Sequence, residues 1–349
     1  MQRFELTPGY DISRVIRGGW QLSQGHGQVR SDDAVGDMIA FADAGITTFD
    51  CADIYTGVED MIGEFCMRYR LARGEEALGR VHVHTKFVPD LDMLPRVTRA
   101  YVEGVIDRSL KRLRMERLDL VQFHWWDYAV PGHVEAAHHL VDLREAGKIA
   151  EIGATNFDTA RMVELVESGV PLVSMQAQYS LIDSRPARAM ADAALTHGIS
   201  LLCYGTVAGG FLGDRWLGQP EPAMSFENRS LTKYKLVIDD FGGWDLFQAL
   251  LRTLRTVADR HGSDIATVAS AAMLARPAVA AVIVGARNAS HLAANLAISD
   301  LALTAADHAE IDAVLSQSKP LEGDVFDLER DRHGRHGSIM KYNLNTGVA

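Results

Sequence analysis

An aspartate and a tyrosine beside one predicted strand could take part in acid–base chemistry. Residues 47–57 begin as a strand, with Asp50 at its C-terminal end and Tyr55 five residues later. A free tyrosine has a pKa of about 10, so it is a poor acid at neutral pH unless a nearby cation favours the phenolate. A lysine from another part of the chain could supply that charge, and Asp50 could hold it. Taken alone, the pair is also compatible with an ordinary strand end and a half-buried tyrosine.

Composition and charge exclude several classes of function. The chain has 349 residues, enough for one large domain or two smaller ones, and a net charge of −11. That charge argues against a general nucleic-acid binder, which needs a basic face. The three cysteines lack C-x-x-C spacing, so neither a disulfide framework nor a zinc site is indicated. No run of 18 apolar residues and no apolar leader occur, so we expect a soluble, cytoplasmic protein that does not enter a membrane.

Strand and helix patterns alternate along the chain, after an opening hairpin predicted around Pro8 and a first helix capped by Ser31. The predicted strands lie at residues 15–20, 47–50, 81–86, 118–123, 149–154, 172–176, 199–204 and 279–284. Eight such units predict an α/β fold, a (β/α)8 TIM barrel that forms a single domain over residues 1–318. A doubly wound open sheet is the alternative, but no G-x-G-x-x-G follows the first strand.

Two segments interrupt this alternation. Residues 205–241 are rich in Gly, Pro and charge, which predicts a long loop after the seventh strand. Residues 319–349 form a polar C-terminal tail. We favour a solvated tail, because chain termini are usually poorly ordered. A substrate-specificity loop or an interface arm is the alternative.

The ends of the predicted strands bring more chemistry to one rim of the barrel, where such barrels carry their active sites. Lys86 ends the third strand and His124 follows the fourth, beside Asp50 and Tyr55 after the second. Lys86 could lower the pKa of Tyr55, and Asp50 could pair with Lys86. His124 could donate to a substrate oxygen, and Tyr55 could supply a proton. This set suits reduction of a carbonyl, with the hydride coming from a cofactor. Each residue alone also has a structural interpretation, as a surface lysine or a core histidine.

The motifs around these residues resemble the aldo-keto reductase superfamily, over residues 15–297. The similar segments are DCADIY, HTKF, VQFHW, GATNF, YGTVAGGFL and VGARNASHLAANL. The resemblance implies that Asp50, Tyr55, Lys86 and His124 are catalytic.

A nicotinamide cofactor follows from the same resemblance. It implies that Thr155, Asn156 and Gln176 hold the nicotinamide carboxamide and that Tyr204 stacks on the ring. The other positions assigned to the cofactor, from the strand ends, the loop after Tyr204 and the adenosine end, are Gly19, Trp20, Val207, Ala208, Gly209, Leu212, Gly285, Arg287, His291 and Asn295.

Departures from the family pattern bear on the choice of cofactor. Thr155 stands where serine is usual and keeps the hydroxyl, and Thr206 replaces a common proline. His291 and Ala294 replace residues common near the adenine, which leaves NADP against NAD open. Arg287 favours NADP(H), since a 2′-phosphate prefers a guanidinium partner, while NAD(H) is possible.

Aromatic residues indicate what enters the site. Trp20, Trp125 and Trp126 would give it aromatic walls, which suit sugars and flat or alicyclic carbonyl compounds; the alternative is that the Trp125–Trp126 pair packs beneath the rim. Within residues 208–241, Phe211 and Tyr234 would fold over the cofactor.

The sequence therefore predicts an NADP-dependent reductase of aldehydes or ketones, or the reverse on a sugar or alcohol. The expected partner is a small molecule, with no nucleic acid and no membrane, and the oligomeric state stays open. The alternative is a reductase-like regulatory or binding subunit that senses nicotinamide redox state.

Overall fold

The computed structural model describes residues 1–23, 30–226 and 228–345. The chain opens with an antiparallel hairpin of β1 (Arg3–Thr7) and β2 (Tyr10–Ser13), as predicted. The apolar side chains Leu6 and Ile12 pack against residues of the barrel strands that follow. The hairpin therefore closes the N-terminal end of the barrel and leaves the opposite end to the site.

Eight parallel strands close into a barrel, which confirms the predicted (β/α)8 class and excludes the open sheet. Each strand pairs with the next one along the chain, and the last strand pairs with the first. In order around the barrel they are β3 (Val15–Gly18), β4 (Thr48–Asp50), β5 (His82–Phe87), β6 (Leu118–Phe123), β7 (Ile149–Thr155), β8 (Leu172–Gln178), β9 (Ser200–Tyr204) and β10 (Val279–Gly285).

Helices surround the barrel and bury their apolar faces against it. They are α1 (Ser31–Asp43), α2 (Val58–Arg73), α3 (Glu75–Leu78), α4 (Arg99–Leu113), α5 (His133–Glu145), α6 (Thr159–Glu167), α7 (Ala189–His197), α8 (Arg229–Phe241), α9 (Gly243–Arg260), α10 (Ile265–Leu274), α11 (Leu292–Asp300), α12 (Ala305–Leu315) and α13 (Asp327–Arg330). Within the three described ranges, no helix has both the length and the apolar character needed to cross a membrane.

The start of α1 differs from the prediction. Ser31 is already the first helical residue, and Arg30 occupies the N-cap position without a side-chain cap bond. Its first turn instead carries Asp32 and Asp33, whose charges favour a helix N-terminus.

The segment after β9 is not one long loop, because its second half forms α8. Asn228 caps this helix by accepting from the backbone N–H of Leu231 at 3.0 Å. Tyr234, Val237 and Phe241 lie on its buried face. The Gly, Pro and charged residues before Asn228 obscure this helical period in the sequence.

The C-terminal segment, residues 319–345, packs against the barrel instead of extending into solvent. Leu321, Val325 and Phe326 are buried, and the Glu329 side chain is fully buried within α13. The prediction of a solvated tail is therefore wrong. Two charged residues of this segment, Glu329 and Arg330, have partners in distant parts of the chain.

Candidate active site

A buried ion pair forms the centre of the site at the C-terminal ends of the strands. The ammonium Nζ of Lys86, in β5, lies 2.7 Å from Oδ2 of Asp50, the last residue of β4. Each side chain is 5% exposed. Lys86 also donates to the carbonyl oxygen of Cys51 at 2.7 Å, and its Nζ lies 5.0 Å from the ring centroid of Tyr55. The structure thus brings Asp50, Tyr55 and Lys86 together as predicted.

Two amide side chains hold Asp50 in place. Gln122 in β6 and Gln176 in β8 each donate to Asp50 Oδ1, at 2.9 and 2.6 Å. Gln176 also donates to the Gln122 carbonyl oxygen at 2.9 Å. Gln122 was not predicted as a site residue, although a glutamine inside the apolar strand LDLVQF was a usable signal.

Tyr55 is protonated at neutral pH, because its surroundings raise a pKa that is already about 10 in free tyrosine. Desolvation raises the pKa of Tyr55 above its ordinary value, and the positive charge of Lys86 opposes this only in part. Burial alone would lower the pKa of Lys86, but Asp50 and Tyr55 raise it above its ordinary value. At neutral pH the site therefore holds a protonated phenol beside a charged ammonium. The charge of Lys86 lowers the pKa of Tyr55, as predicted, but desolvation raises it by more.

His124 follows β6 and is neutral. Its Nδ1 lies 3.0 Å from the carbonyl oxygen of Thr155, and burial, with a contribution from the charge of Arg330, lowers its pKa to about 3. A carbonyl can only accept, so Nδ1 carries the proton of the neutral ring and Nε2 is an acceptor. Nε2 is buried and has no hydrogen-bond partner among the described residues. His124 was predicted to donate to the substrate. With its proton on Nδ1, its Nε2 offers an acceptor instead.

Three side chains beside this cluster match a carboxamide. Thr155 Oγ1 is buried and has no partner among residues that the structure describes. Tyr204 donates its hydroxyl to Asn156 Oδ1 at 2.8 Å, which leaves the Asn156 amide NH2 as a donor. The Gln176 amide nitrogen is already used, which leaves its oxygen as an acceptor. A hydroxyl, an NH2 and a carbonyl oxygen can satisfy both ends of a primary amide, so these residues fit a nicotinamide.

The loop after β9 lies under α8. Gly205 and Gly209 both have positive φ, and a Cβ on them would lie 2.4 and 2.7 Å from atoms of Tyr234. Only glycine allows the ring of Tyr234 to approach the loop this closely. Ala208 and Leu212 are buried in the same turn, and Leu212 donates its N–H to the carbonyl of Val207 at 3.1 Å. Tyr234 thus covers this loop, next to the positions assigned to the cofactor.

The predicted adenosine end lies past β10. Gly285 ends the strand, and a Cβ there would lie 2.2 Å from Nε2 of Gln21. Arg287 and His291 are exposed on this rim, and Asn295 is buried in α11. The Asn295 amide nitrogen has no partner within the described parts of the chain, so it fits a contact to a ligand. On the opposite side of β3, Gly19 donates to the carbonyl of Asp50 at 2.7 Å and keeps that strand end close to β4.

The structure brings two of the three predicted tryptophans to the site. The Trp20 ring centroid lies 4.9 Å from that of Tyr55, and the Trp126 ring meets the His124 ring edge to face at 4.3 Å. Trp125 is fully buried, and its indole N–H donates to the carbonyls of Asp127 and Val130, so it packs beneath the rim.

The pocket beside Trp126 and the C-terminal residues that line it were not predicted. A pocket of about 360 Å³ opens beside Trp126, and Arg330 and Tyr342 of the C-terminal segment also line it. Phe326 of the same segment lies 5.6 Å from the His124 ring. The phenylalanine in a polar tail was the only signal in the sequence for this contact.

Known proteins are similar to this chain in sequence. "Aldo-keto reductase YhdN" of Bacillus subtilis is 26% identical over 89% of this chain and 92% of its own length. "Flagellar radial spoke protein 5" of Chlamydomonas reinhardtii is 28% identical over 62% of this chain, which spans only about half (47%) of that protein.

Solved structures share the fold. A glycerol dehydrogenase of Gluconobacter oxydans superposes with a TM-score of 0.74, at 23% identity, over 90% of this chain and 95% of that one. The Aldo/keto reductase family model matches residues 14–316. The chain therefore belongs to the aldo/keto reductase family, whose members are oxidoreductases of carbonyl and alcohol groups that use nicotinamide cofactors.

Proposed function

We propose that this protein is an NADP-dependent oxidoreductase that interconverts an aldehyde or ketone and its alcohol, with Tyr55 as general acid and base. The observation that carries this proposal is the buried Lys86–Asp50 pair, 2.7 Å apart, against the ring of Tyr55. Taking two charges out of water is costly unless they are paired. Their placement at the C-terminal end of a barrel supports a catalytic role.

Tyr55 exchanges a proton with the substrate oxygen. Because the phenol is protonated at neutral pH, its hydroxyl donates to a carbonyl oxygen and transfers its proton as negative charge develops there. The ammonium of Lys86 then stabilises the phenolate that remains. In the direction of alcohol oxidation the same phenolate takes the hydroxyl proton. Asp50, held by two amides, keeps the ammonium in position throughout.

His124 and the aromatic side chains orient the substrate. The bond of Nδ1 to the carbonyl of Thr155 fixes the plane of the neutral His124 ring, so the ring limits the positions that the substrate can take. The rings of Trp20, Trp126 and Phe326 lie close to Tyr55 or His124 and exclude water from the reacting groups.

The cofactor, when bound, supplies or receives the hydride. Thr155, Asn156 and Gln176 would hold its carboxamide, Tyr204 would stack on its ring, and Arg287 would contact the 2′-phosphate of NADP(H). A charge-assisted contact of this kind favours NADP(H) over NAD(H), while NAD(H) can still use the rest of the site.

The second candidate is a binding or regulatory subunit that senses nicotinamide redox state; one similar protein is named as part of the flagellar radial spoke and not as a reductase. The presence of the complete tetrad of Asp50, Tyr55, Lys86 and His124 favours the enzyme. A panel of carbonyl compounds and alcohols, tested with purified protein and all four nicotinamide forms, distinguishes the two. Turnover with NADPH or NADP+ supports the enzyme, whereas tight cofactor binding without turnover of any compound supports the regulatory subunit.

A further inference from the structure

An arginine of the C-terminal segment, Arg330, donates hydrogen bonds to the backbone of two loops of the site. Nη2 of Arg330 lies 2.5 Å from the carbonyl oxygen of Asn156 and 3.2 Å from that of Trp125. Its guanidinium also lies 4.2 Å from the ring centroid of Tyr128 and 5.4 Å from that of Phe326. One cation therefore joins the loop after β6, next to His124, to the loop after β7, next to Thr155.

The residue that Arg330 contacts has an uncommon backbone conformation. Asn156 has a φ of 60°, in the left-handed region that asparagine adopts more readily than other non-glycine residues. Its N–H donates to the carbonyl of Gln176 at 3.0 Å, and its carbonyl accepts from Arg330. Both peptide groups of Asn156 are thus fixed, and Tyr204 fixes its side chain. These contacts together determine where the Asn156 amide lies.

A buried ionic anchor holds Arg330 in place. Its neighbour Glu329 receives two bonds from Arg185, at 3.0 and 3.2 Å, and lies 3.5 Å from Nζ of Lys233. Asp183 completes the anchor by accepting from the same guanidinium at 2.8 and 2.9 Å. A carboxylate bound in this way cannot move without leaving buried charges unpaired. The bonds to the Glu329 side chain therefore also fix the backbone of Arg330, the next residue.

We propose that Arg330 is a positioning residue, which holds Asn156 in the conformation that binds the carboxamide of the cofactor. This inference rests on the proposed function, because it assumes that Asn156 contacts that carboxamide. It assigns to the C-terminal segment a role in binding the nicotinamide half of the cofactor. The adenosine half, at the opposite end of the site past β10, should not depend on Arg330.

The test compares two ligands on full-length variants. NADPH carries the nicotinamide, whereas 2′,5′-ADP carries only the adenosine half. We expect Arg330→Met to weaken NADPH binding by about ten- to a hundredfold, because an Asn156 that leaves this conformation no longer bonds the carboxamide, and to change the affinity for 2′,5′-ADP by less than about twofold. Arg332→Met is the matched control, since Arg332 lies two residues later, is half exposed and pairs only loosely with Asp127 at 3.6 Å. It should leave both affinities unchanged.

Arg330→Lys keeps the charge on a shorter side chain with a single nitrogen, and it decides the question if the Met variant does not fold. We expect it to lose about three- to tenfold in NADPH affinity, part of the loss in Arg330→Met, with 2′,5′-ADP again unchanged. Equal losses for both ligands, or wild-type NADPH affinity in these variants, would overturn the positioning role. Failure of the wild type itself to bind NADPH would instead contradict the proposed function.

Discussion

Two buried ionic clusters lie at the same end of the barrel and differ in how completely they are satisfied. The catalytic cluster pairs Lys86 with Asp50, and the anchor cluster pairs Arg185 with Asp183 and Glu329. The paired side chains are 5% exposed in the first and at most 1% exposed in the second. Burial alone therefore does not separate them.

The two clusters differ in their hydrogen bonding. Each side-chain nitrogen of Arg185 donates to a carboxylate, so every nitrogen of this guanidinium is already paired. The catalytic cluster borders His124 Nε2 and Thr155 Oγ1, two buried atoms that have no partner in the described part of the chain. A closed network stabilises one conformation, whereas an open one can take part in chemistry. We therefore assign stability to the anchor and catalysis to the Lys86 cluster.

Removing the centre of the anchor should give the largest change in stability. Arg185→Met leaves the buried carboxylates of Asp183 and Glu329 without their main partner, so we expect the free energy of unfolding to fall by about 3–5 kcal/mol. Arg80→Met is the control, because Arg80 pairs with Glu76 on the surface and such pairs contribute about 0–1 kcal/mol. Urea denaturation measures both. Equal stability of the two variants would remove the structural role of the anchor.

Arg287, at the predicted adenosine end of the site, tests whether ligand binding can be changed without a loss of stability. Arg287→Ala should weaken NADPH binding by about ten- to a hundredfold, because a 2′-phosphate loses a charge-assisted contact. NADH binding and the unfolding free energy should change little. Fluorescence titration of both cofactors measures this. An equal loss for NADH and NADPH would mean that Arg287 supports the fold or the pyrophosphate, and a wild type that prefers NADH would contradict the choice of cofactor.

Acid should weaken the anchor. Although burial alone would raise it, Lys233 and Arg185 hold the pKa of Glu329 down, to about 2. Since this is below its value in the unfolded chain, the ionised carboxylate contributes stability above about pH 4.5, and this contribution is lost as the pH falls towards 2. The stability advantage of wild type over Glu329→Gln should therefore be constant from pH 8 to 6 and be smaller by about 1–2 kcal/mol at pH 3. An advantage that does not depend on pH would exclude the ionised form as its source.

The sequence predicted the barrel and the tetrad because both depend on local patterns. Alternating strand and helix periods defined the eight units, and the polar residues at strand ends marked the rim. The sequence did not predict the burial of the C-terminal segment or the protonated nitrogen of His124, because both depend on contacts between residues far apart in the chain. Glu329 meets Arg185 from 144 positions away, so a polar tail gave no sign of burial. The proton of His124 is placed by the backbone carbonyl of Thr155, which carries no sequence signal.

The most direct measurement of the central claim is turnover by Tyr55→Phe beside wild type, on the carbonyl compound that wild type reduces fastest. The change removes only the phenolic hydroxyl, so NADPH affinity and the unfolding free energy should stay within about twofold and 0.5 kcal/mol of wild type. We predict that kcat falls by at least about a hundredfold, as expected for loss of a general acid. Wild-type turnover by Tyr55→Phe would contradict the assignment of the tetrad.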